Sequence, residues 1–187
     1  MSTALVDSVA SVPTSGRTLD PDSLGDHIDR LFRAAWALSG SRADAEDLVQ
    51  ETFALVLAKP RVIRNENDLG YLLGVLRNTF ISSRRAAARR LRPEALAEGF
   101  EPADPSPATR PELAVEAREV FAVIASLPED FRDTLVAIDV TGLSYGEAAA
   151  LLGVKEATIT SRLFRARAQV ARGMESPSEG VKGGRER

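Results

Sequence analysis

The sequence predicts an all-α protein with two small helical domains joined by a flexible linker. Apolar residues recur at a spacing of three or four in several segments, as in amphipathic helices, and no stretch alternates as a strand would. A proline-rich, acidic stretch interrupts this pattern and indicates an extended connection. The predicted parts are a disordered N-terminal tail (1–22), a first domain (23–92), the linker (93–110), a second domain (111–173) and a C-terminal tail (174–187).

The composition narrows the class of protein. The chain has 187 residues, of which 44% are hydrophobic and 27% are charged, so it can form a folded core. It has no cysteine and one histidine, His27, which argues against a disulfide framework, a thiolate zinc site and a cysteine nucleophile. No apolar run has membrane-spanning length, and the N-terminus lacks the positive charge of a signal peptide. We therefore expect a soluble, cytoplasmic protein that uses no cofactor or metal.

Three helices are expected in the first domain. The first stops at Gly40 and carries Trp36 on its apolar stripe, where we expect this residue to be part of the core. Ser41 and Asp44 are placed to cap the second helix, which a Lys-Pro pair ends. The third helix, residues 68–92, is apolar in its first half and rich in alanine and arginine in its second half.

The second helix carries an acidic face that includes one glutamine. A solvated surface is the ordinary interpretation of such a face, and a docking surface for a charged protein partner is the alternative. A carboxylate metal site needs converging ligands, and no histidine or second acidic helix lies nearby in the sequence, which argues against metal binding. The polar residues of this face are Asp44, Glu46, Asp47, Gln50 and Glu51.

Charge is segregated along the chain, although the net charge is only −3. Six arginines and no acid lie between Tyr71 and Arg92, whereas four acids and no base lie between Pro93 and Thr109. This pattern indicates local contacts to phosphate and a separate acidic surface for another partner. The alternative for the arginine-rich segment is a solvated helix end whose charge complements the helix dipole.

The second domain is predicted to begin at Pro111, because proline suits the first turn of a helix. Leu127-Pro128 interrupts the helical pattern, and the next helix ends at Gly142. A helix-turn-helix follows, within Leu143–Gly173.

Local signals define this helix-turn-helix. Ser144 and Glu147 have the S-x-x-E spacing of a capping box, and Gly153 can adopt the positive φ that ends a helix. Val154 and Ile159 are placed to fill the angle between the two helices. The second helix carries four arginines against one acid, which predicts a cationic helix of the size that enters the major groove of DNA. The alternative is a helical hairpin with a solvated basic face.

Three stretches resemble signature sequences of the bacterial extracytoplasmic-function sigma factors, and they occur in that family's order. They are DAEDLVQETF (44–53), LGYLLGVLRNTFISSRR (69–85) and YGEAAALLGVKEATITSRLFRAR (145–167). The resemblance covers residues 24–92 and 111–173. It implies that the first domain is sigma region 2, the second is sigma region 4, and the linker threads the polymerase cleft, where its carboxylates mimic nucleic-acid charge; a solvated tether is the alternative.

The resemblance also implies roles for matched residues. The residues assigned to docking on the clamp of the largest subunit of core RNA polymerase are Asp44, Glu46, Asp47, Leu48, Gln50, Glu51 and Phe53. Recognition of the melted, single-stranded −10 element falls to Arg61, Arg64, Asn65 and Asn67 of the loop after the second helix, and to Arg77, Asn78, Arg84 and Arg85. Recognition of the −35 duplex falls to Lys155, Thr158, Thr160, Ser161, Arg162, Phe164, Arg165 and Arg167.

The sequence departs from the family pattern at three positions. Tyr71 stands where tryptophan is usual, Ser82 where aspartate is usual, and Thr160 where lysine or arginine is common. The resemblance further implies a partner that holds the protein inactive, an anti-sigma factor that covers both domains.

The leading hypothesis is therefore a dissociable initiation factor that gives core polymerase its choice of promoter. A stand-alone helix-turn-helix regulator is the alternative; it would bind a palindromic duplex unaided and would leave the basic third helix and the linker unexplained. An enzyme is the third class, and the sequence offers no phosphate-cradling glycine loop and no recognisable pair of catalytic carboxylates for it.

Overall fold

A computed structural model describes residues 17–58, 62–63, 67–90 and 111–175. Seven α-helices, a 3₁₀ helix and one short strand pair make up this part of the chain. In order they are β1 (Arg17–Thr18), the 3₁₀ helix Pro21–His27, α1 (Ile28–Ser39), α2 (Arg42–Ala58), β2 (Val62–Ile63), α3 (Asp68–Arg90), α4 (Pro111–Ser126), α5 (Glu129–Leu135) with a π-helical extension Val136–Val140, α6 (Tyr145–Leu152) and α7 (Glu156–Glu175).

The predicted all-α class is confirmed, with one addition at the start of the chain. Strands β1 and β2 pair antiparallel, with Arg17 opposite Ile63 and Thr18 opposite Val62. The prediction of a disordered tail over residues 1–22 is therefore wrong for residues 17–22, because the strand pair includes Arg17 and Thr18, Leu19 is buried, and a 3₁₀ helix begins at Pro21. Two-residue strands are too short to show alternation in the sequence. Residues 1–16, the linker 93–110 and the chain beyond residue 175 lie outside the described residues.

The first domain is a bundle of α1, α2 and α3 around a core of leucines. Leu31, Leu72 and Leu76 are fully buried where the three helices meet. Helix α1 ends at Gly40, whose φ is +76°, and the Ser41 hydroxyl accepts a hydrogen bond from the Asp44 amide at 3.3 Å, so both predicted helix ends are confirmed.

The second domain packs α4, α5 and α6 around one face of α7. Ile159, Leu163 and Ala166 form that face and are almost completely buried. The predicted helix start at Pro111 and the break at Pro128 are confirmed. The opposite face of α7 is left on the surface of the molecule.

The two domains also pack against each other. Helix α4 lies on α1, where the Trp36 and Phe121 ring centroids are 4.8 Å apart. Helix α6 packs against α3, and Arg77 of α3 hydrogen-bonds to α5. Trp36, expected in the core of the first domain, is thus half-buried at the contact between domains. Among the described helices, even the longest, α3, lacks the continuous apolar length that a membrane crossing requires.

Candidate nucleic-acid interfaces

The turn between α6 and α7 has the geometry that the sequence predicts. The Ser144 hydroxyl accepts from the Glu147 amide at 3.3 Å, and the Glu147 carboxylate accepts from the Ser144 amide at 2.7 Å, which completes the capping box. Gly153 ends α6 with φ +67° and donates to the Ala149 carbonyl. Ile159 is fully buried below the turn and Val154 partly so. These contacts set the angle at which α7 is presented.

The outer face of α7 is polar, with one large aromatic side chain. Phe164 is 76% exposed, which is unusual for phenylalanine in a folded domain and leaves its ring available to a ligand. The Thr160 hydroxyl donates to the Glu156 carbonyl and the Ser161 hydroxyl donates to the Thr158 carbonyl, so both remain acceptors toward solvent. The remaining predicted DNA contacts on this face that are exposed are Lys155, Arg165 and Arg167.

Two arginines of this predicted set are paired with acids of their own domain. Arg162 donates to Asp130 at 2.7 Å, and Arg167 donates two hydrogen bonds to Asp139 at 2.7 and 2.9 Å. The hydrogen bonds to Asp139 raise the pKa of Arg167. The sequence alone identifies neither acid, because partners 28 and 32 positions away leave no local signal. A phosphate would have to compete with these carboxylates for the guanidinium groups.

The second cationic surface is the C-terminal half of α3. Arg84, Arg85 and Arg89 are exposed there, and the Arg84 guanidinium lies 5.7 Å from the centre of the Phe80 ring. Arg84 and Arg85 both line a cleft between α3 and the start of α5. Phosphate groups can reach all three side chains from solvent.

A cleft of about 370 Å³ between α2 and α3 adjoins this surface. Asn78 lines it, together with Tyr71 and Ser82, two of the three positions where the sequence departs from the pattern it resembles. The amide of Asn78 can donate to and accept from the edge of a base. The cleft therefore places a side chain that can hydrogen-bond a base beside two positions where the sequence departs from that pattern.

Of the segment between α2 and α3, the structure describes strand β2 and Asn67. Arg61, Arg64 and Asn65 lie outside the described residues. Asn67 caps α3, because its carboxamide oxygen accepts from the Gly70 amide at 2.7 Å. Its carboxamide nitrogen donates to Glu147 of the other domain at 2.6 Å. Hydrogen bonds from Ser144, with a smaller contribution from Asn67, lower the pKa of Glu147.

Arg77 points toward the second domain instead of toward solvent. Its Nε donates to Asp133 at 2.5 Å and its Nη2 donates to Glu129 at 3.3 Å. Arg132, only 3% exposed, also pairs with Asp133 at 3.4 Å and lies 5.1 Å from the centre of the Phe80 ring. Burial raises the pKa of the Asp133 carboxyl, against the opposing effect of the Arg77 and Arg132 guanidinium groups.

The acidic face of α2 is exposed to solvent. Asp44, Asp47 and Glu51 share one side of the helix, at spacings of three and four residues, and Glu46 and Gln50 lie beside them. Leu48 is buried and Phe53 half-buried beneath this face, which holds it on a rigid support. Among the described residues, no group of three or more histidine, cysteine, aspartate or glutamate side chains could hold a metal ion.

Comparisons with known proteins match both domains to bacterial sigma factors. The family models for sigma-70 region 2 and sigma-70 region 4 match residues 24–90 and 117–170. The chain is 40% identical over 147 residues to the ECF RNA polymerase sigma factor SigE of Mycolicibacterium smegmatis, covering 77% of this chain and 57% of that one. It is 34% identical over 155 residues to the ECF RNA polymerase sigma factor EcfG of Rhodopseudomonas palustris, covering 80% of this chain and 84% of that one.

A solved sigma-factor structure is also similar to this chain in three dimensions. The sigma factor RpoE from Bartonella quintana, crystallised in complex with the anti-sigma factor NepR, superimposes with a TM-score of 0.64. The match has 26% sequence identity and covers 83% of this chain and 98% of that one. The superposition therefore includes both helical domains.

Proposed function

Because the chain belongs to the extracytoplasmic-function sigma factors of bacterial RNA polymerase, we propose that it binds core polymerase and directs initiation at promoters it selects. It acts in the cytoplasm, as a specificity factor and not as an enzyme. The first domain serves as sigma region 2 and the second as sigma region 4, with residues 93–110 as the connection between them.

One observation carries this proposal: two cationic helices lie on two separate domains of a chain whose net charge is negative. Helix α7 presents exposed basic and aromatic side chains, and α3 presents exposed arginines. A general nucleic-acid coat protein would spread positive charge over its surface, whereas a reader of two promoter elements needs two confined sites. The arrangement therefore supports recognition at two points.

The −35 element is read as duplex by α7. Arg165 is suited to a bidentate contact with guanine, which contributes about 1–3 kcal/mol of discrimination against other bases. Phe164 supplies an apolar surface for a thymine methyl group or the sugar-phosphate backbone. Lys155, Thr158, Thr160, Ser161, Arg162 and Arg167 complete the proposed contact set.

The −10 element is held as a single strand by α3 and the loop before it. Arg84 and Arg85 hold phosphates, and Asn78 bonds the edge of a base that enters the cleft between α2 and α3. Asn67, Arg77 and the loop residues Arg61, Arg64 and Asn65 complete the proposed set. Arg77 can contribute only after it leaves Asp133.

The acidic face of α2 docks on the clamp of the largest polymerase subunit. Its carboxylates and glutamine are exposed and rigidly supported, which suits a basic protein surface. We further propose an anti-sigma factor as a second partner, by analogy with the Bartonella quintana complex. Such a partner would compete for the same docking and DNA-binding surfaces.

Transcription with purified core polymerase tests the proposal. Genomic DNA of the host is transcribed with and without the chain, and the RNA 5′ ends are sequenced. We expect a new set of start sites that share two upstream sequence elements. Start sites that are the same in both reactions would contradict the proposal, and tight binding of the purified chain to a palindromic duplex would support a stand-alone regulator instead.

A further inference from the structure

We propose that Asp130 and Asp139 limit the binding of α7 to DNA of any sequence, because they hold Arg162 and Arg167 away from phosphates. The two acids are positioning residues, since each touches an arginine of α7 and acts through it. The inference rests on the proposed function for the role of α7 in reading DNA. The restraint of the two arginines is a separate physical claim, and DNA of random sequence tests it.

The side chains of α7 outside its buried face differ in where they lie relative to that face. At about 3.6 residues per turn, Phe164 and Arg165 point away from the buried face, and both are exposed. Arg162 and Arg167 lie on its two margins, one on each side. A long side chain on a margin can reach back to a neighbouring helix as well as outward to DNA. These two arginines therefore have a choice of partner that Arg165 lacks.

Each arginine on a margin is bound by an acid of α5 or of its π-helical extension. Asp130, in the first turn of α5, accepts one hydrogen bond from Arg162 at 2.7 Å. Asp139 accepts two hydrogen bonds from Arg167, at 2.7 and 2.9 Å, and this bidentate arrangement fixes the plane of the guanidinium. The side chain of Arg167 is 56% exposed and that of Arg162 22% exposed. Solvent, and hence a phosphate, can therefore reach both side chains.

The backbone around Asp139 departs from the α-helical pattern. Residues Val136–Val140 form a π-helical segment, and the Thr141 amide donates to the Val136 carbonyl, five residues earlier, at 3.0 Å. The wider turn changes the directions of its side chains relative to those of an α-helix, and such turns occur frequently at functional sites. Asp139 is the one charged residue of the segment. The irregular turn thus presents a single acid, and that acid meets Arg167.

A guanidinium held by a carboxylate contributes little to sequence-independent binding. That binding depends on the number of phosphates that the protein neutralises, and log K falls with log salt by about 0.9 for each of them. A phosphate that approaches Arg162 or Arg167 must displace a carboxylate and is also repelled by it. While the pairs hold, neither arginine adds to the number of neutralised phosphates. Affinity for bulk DNA is lower as a result.

Weak binding to bulk DNA keeps the free chain available to polymerase. A genome offers about 10⁶–10⁹ non-specific sites, and phosphate contacts are the same at all of them. Arg165, which forms no ion pair among the residues that the structure describes, can still read a base. At a promoter, polymerase holds α7 against the duplex, so phosphates compete for Arg162 and Arg167 at a high effective concentration. The two acids therefore act mainly before polymerase is bound.

Asparagine in place of each acid releases its arginine, because the amide has the size of the carboxylate but no charge. The measurement is fluorescence anisotropy of the full-length chain with a fluorescein-labelled duplex of random sequence, at several salt concentrations. We expect Asp130→Asn and Asp139→Asn each to steepen the slope of log K against log salt by up to about 0.9, and to strengthen low-salt binding at least about threefold. Glu119→Gln makes the same change of charge on an exposed residue of α4 and should leave the slope unchanged.

A double-mutant cycle separates this role from a structural one. In an Arg167→Gln background, Asp139→Asn should no longer change the salt slope, because the arginine through which it acts is gone. Asp139→Glu retains the charge and should keep the wild-type slope. If Asp139→Asn loses helix content by circular dichroism, Asp130→Asn with Arg162→Gln gives the same cycle, since the Asp130 side chain is 65% exposed. Wild-type slopes in folded asparagine variants, or effects that persist without the paired arginine, would overturn the proposal.

Transcription with competitor DNA connects the two pairs to the proposed function. Core polymerase, the chain and a promoter template are mixed with increasing amounts of unlabelled duplex of random sequence. We expect the chain with both Asp130→Asn and Asp139→Asn to lose promoter-directed initiation at a competitor concentration at least about threefold lower than the wild type does. Equal sensitivity would overturn the proposal. Steeper salt slopes with a wild type that never redirects transcription would refute the proposed function alone, whereas redirected transcription with unchanged slopes would refute the restraint alone.

Discussion

Arg165 and Arg167 lie two positions apart on α7 and have different electrostatic surroundings. Arg167 is bound by both oxygens of Asp139, whereas no carboxylate in the part of the chain that the structure describes forms an ion pair with Arg165. A guanidinium without an intramolecular partner can bind guanine without first giving up a hydrogen bond. Among the arginines of α7 proposed to contact the −35 element, Arg165 is therefore the one on which we expect recognition to depend most.

Arg165→Ala should weaken binding of the polymerase complex to its promoter by about 1–3 kcal/mol and relax the choice of base at one position. Filter binding against promoters mutated at single −35 positions measures both effects. Arg172→Ala, at the exposed end of the same helix, is the control and should weaken all sequences slightly and alike. If Arg165→Ala weakens binding equally for every sequence, Arg165 contacts phosphate and does not read a base.

Glu51→Lys should abolish co-purification with core polymerase, because it reverses a charge on the acidic face of α2. We expect affinity to fall at least about tenfold, or about 1.4 kcal/mol. Helix content by circular dichroism should not change, since the side chain is exposed. Glu116→Lys, an exposed glutamate of α4, is the charge-matched control. If Glu51→Lys still co-purifies with core polymerase, the proposal that the acidic face of α2 docks on polymerase is wrong.

At the scale of elements, the capping box of α6 connects local structure to the domain contact. Glu147 accepts from the amide and hydroxyl of Ser144 and from Asn67 of the other domain. One carboxylate therefore satisfies the start of α6 and a residue that caps α3. Helix starts that share a carboxylate in this way make the orientation of the two helices interdependent.

Ser144→Ala should destabilise the fold by about 1 kcal/mol, the usual contribution of an N-cap hydroxyl. Urea unfolding followed by circular dichroism measures the change. Ser83→Ala, which removes an exposed hydroxyl within α3, should change stability by less than about 0.5 kcal/mol. Equal effects of the two substitutions would mean that the cap contributes nothing specific.

The same variant should alter the dependence of stability on pH. Because Ser144 lowers the pKa of Glu147 in the folded state, the stabilisation is present above the ordinary glutamate pKa of about 4.3 and is lost as the pH falls through the folded-state value. The difference in stability between wild type and Ser144→Ala should therefore shrink below about pH 4. A difference that grows on acidification would contradict this account.

At the scale of the whole molecule, intramolecular acids neutralise much of the positive charge on the surfaces proposed to bind DNA. Asp130, Asp139 and Asp133 each bind an arginine proposed for promoter contact. The net charge of the chain is −3, so long-range attraction to a polyanion is weak as well. Specific binding is thus expected to depend on polymerase, which brings the chain to DNA.

The purified chain alone should bind promoter duplex weakly, with affinity falling only slightly between low and physiological salt because few phosphate contacts form. Electrophoretic mobility shifts at several salt concentrations measure this, and the polymerase complex on the same duplex is the comparison. Tight, sequence-specific binding by the free chain would favour the stand-alone regulator over the sigma factor.

Local patterns in the sequence suffice to predict where the helices begin and end and which helix face is exposed. The capping box of Ser144 and Glu147, the positive φ of Gly153 and the break at Pro128 each depend on a few neighbouring residues, and all are found in the structure. The exposed acidic face of α2 also follows from helical periodicity alone, because residues three and four apart share a side. The proposed functional residues were named from resemblance to a family and remain proposals.

Only the tertiary structure decided which charges meet. Arg77 and Asp133 are 56 positions apart, and Asn67 and Glu147 are 80 apart, so no periodicity in the sequence relates them. The contact of Trp36 with Phe121 and the strand pair at Arg17–Thr18 arise in the same way. Helices form from short-range preferences, whereas the pairing of their outer faces depends on the packing of the whole chain, and that packing places Arg77 and Asn67 against the second domain.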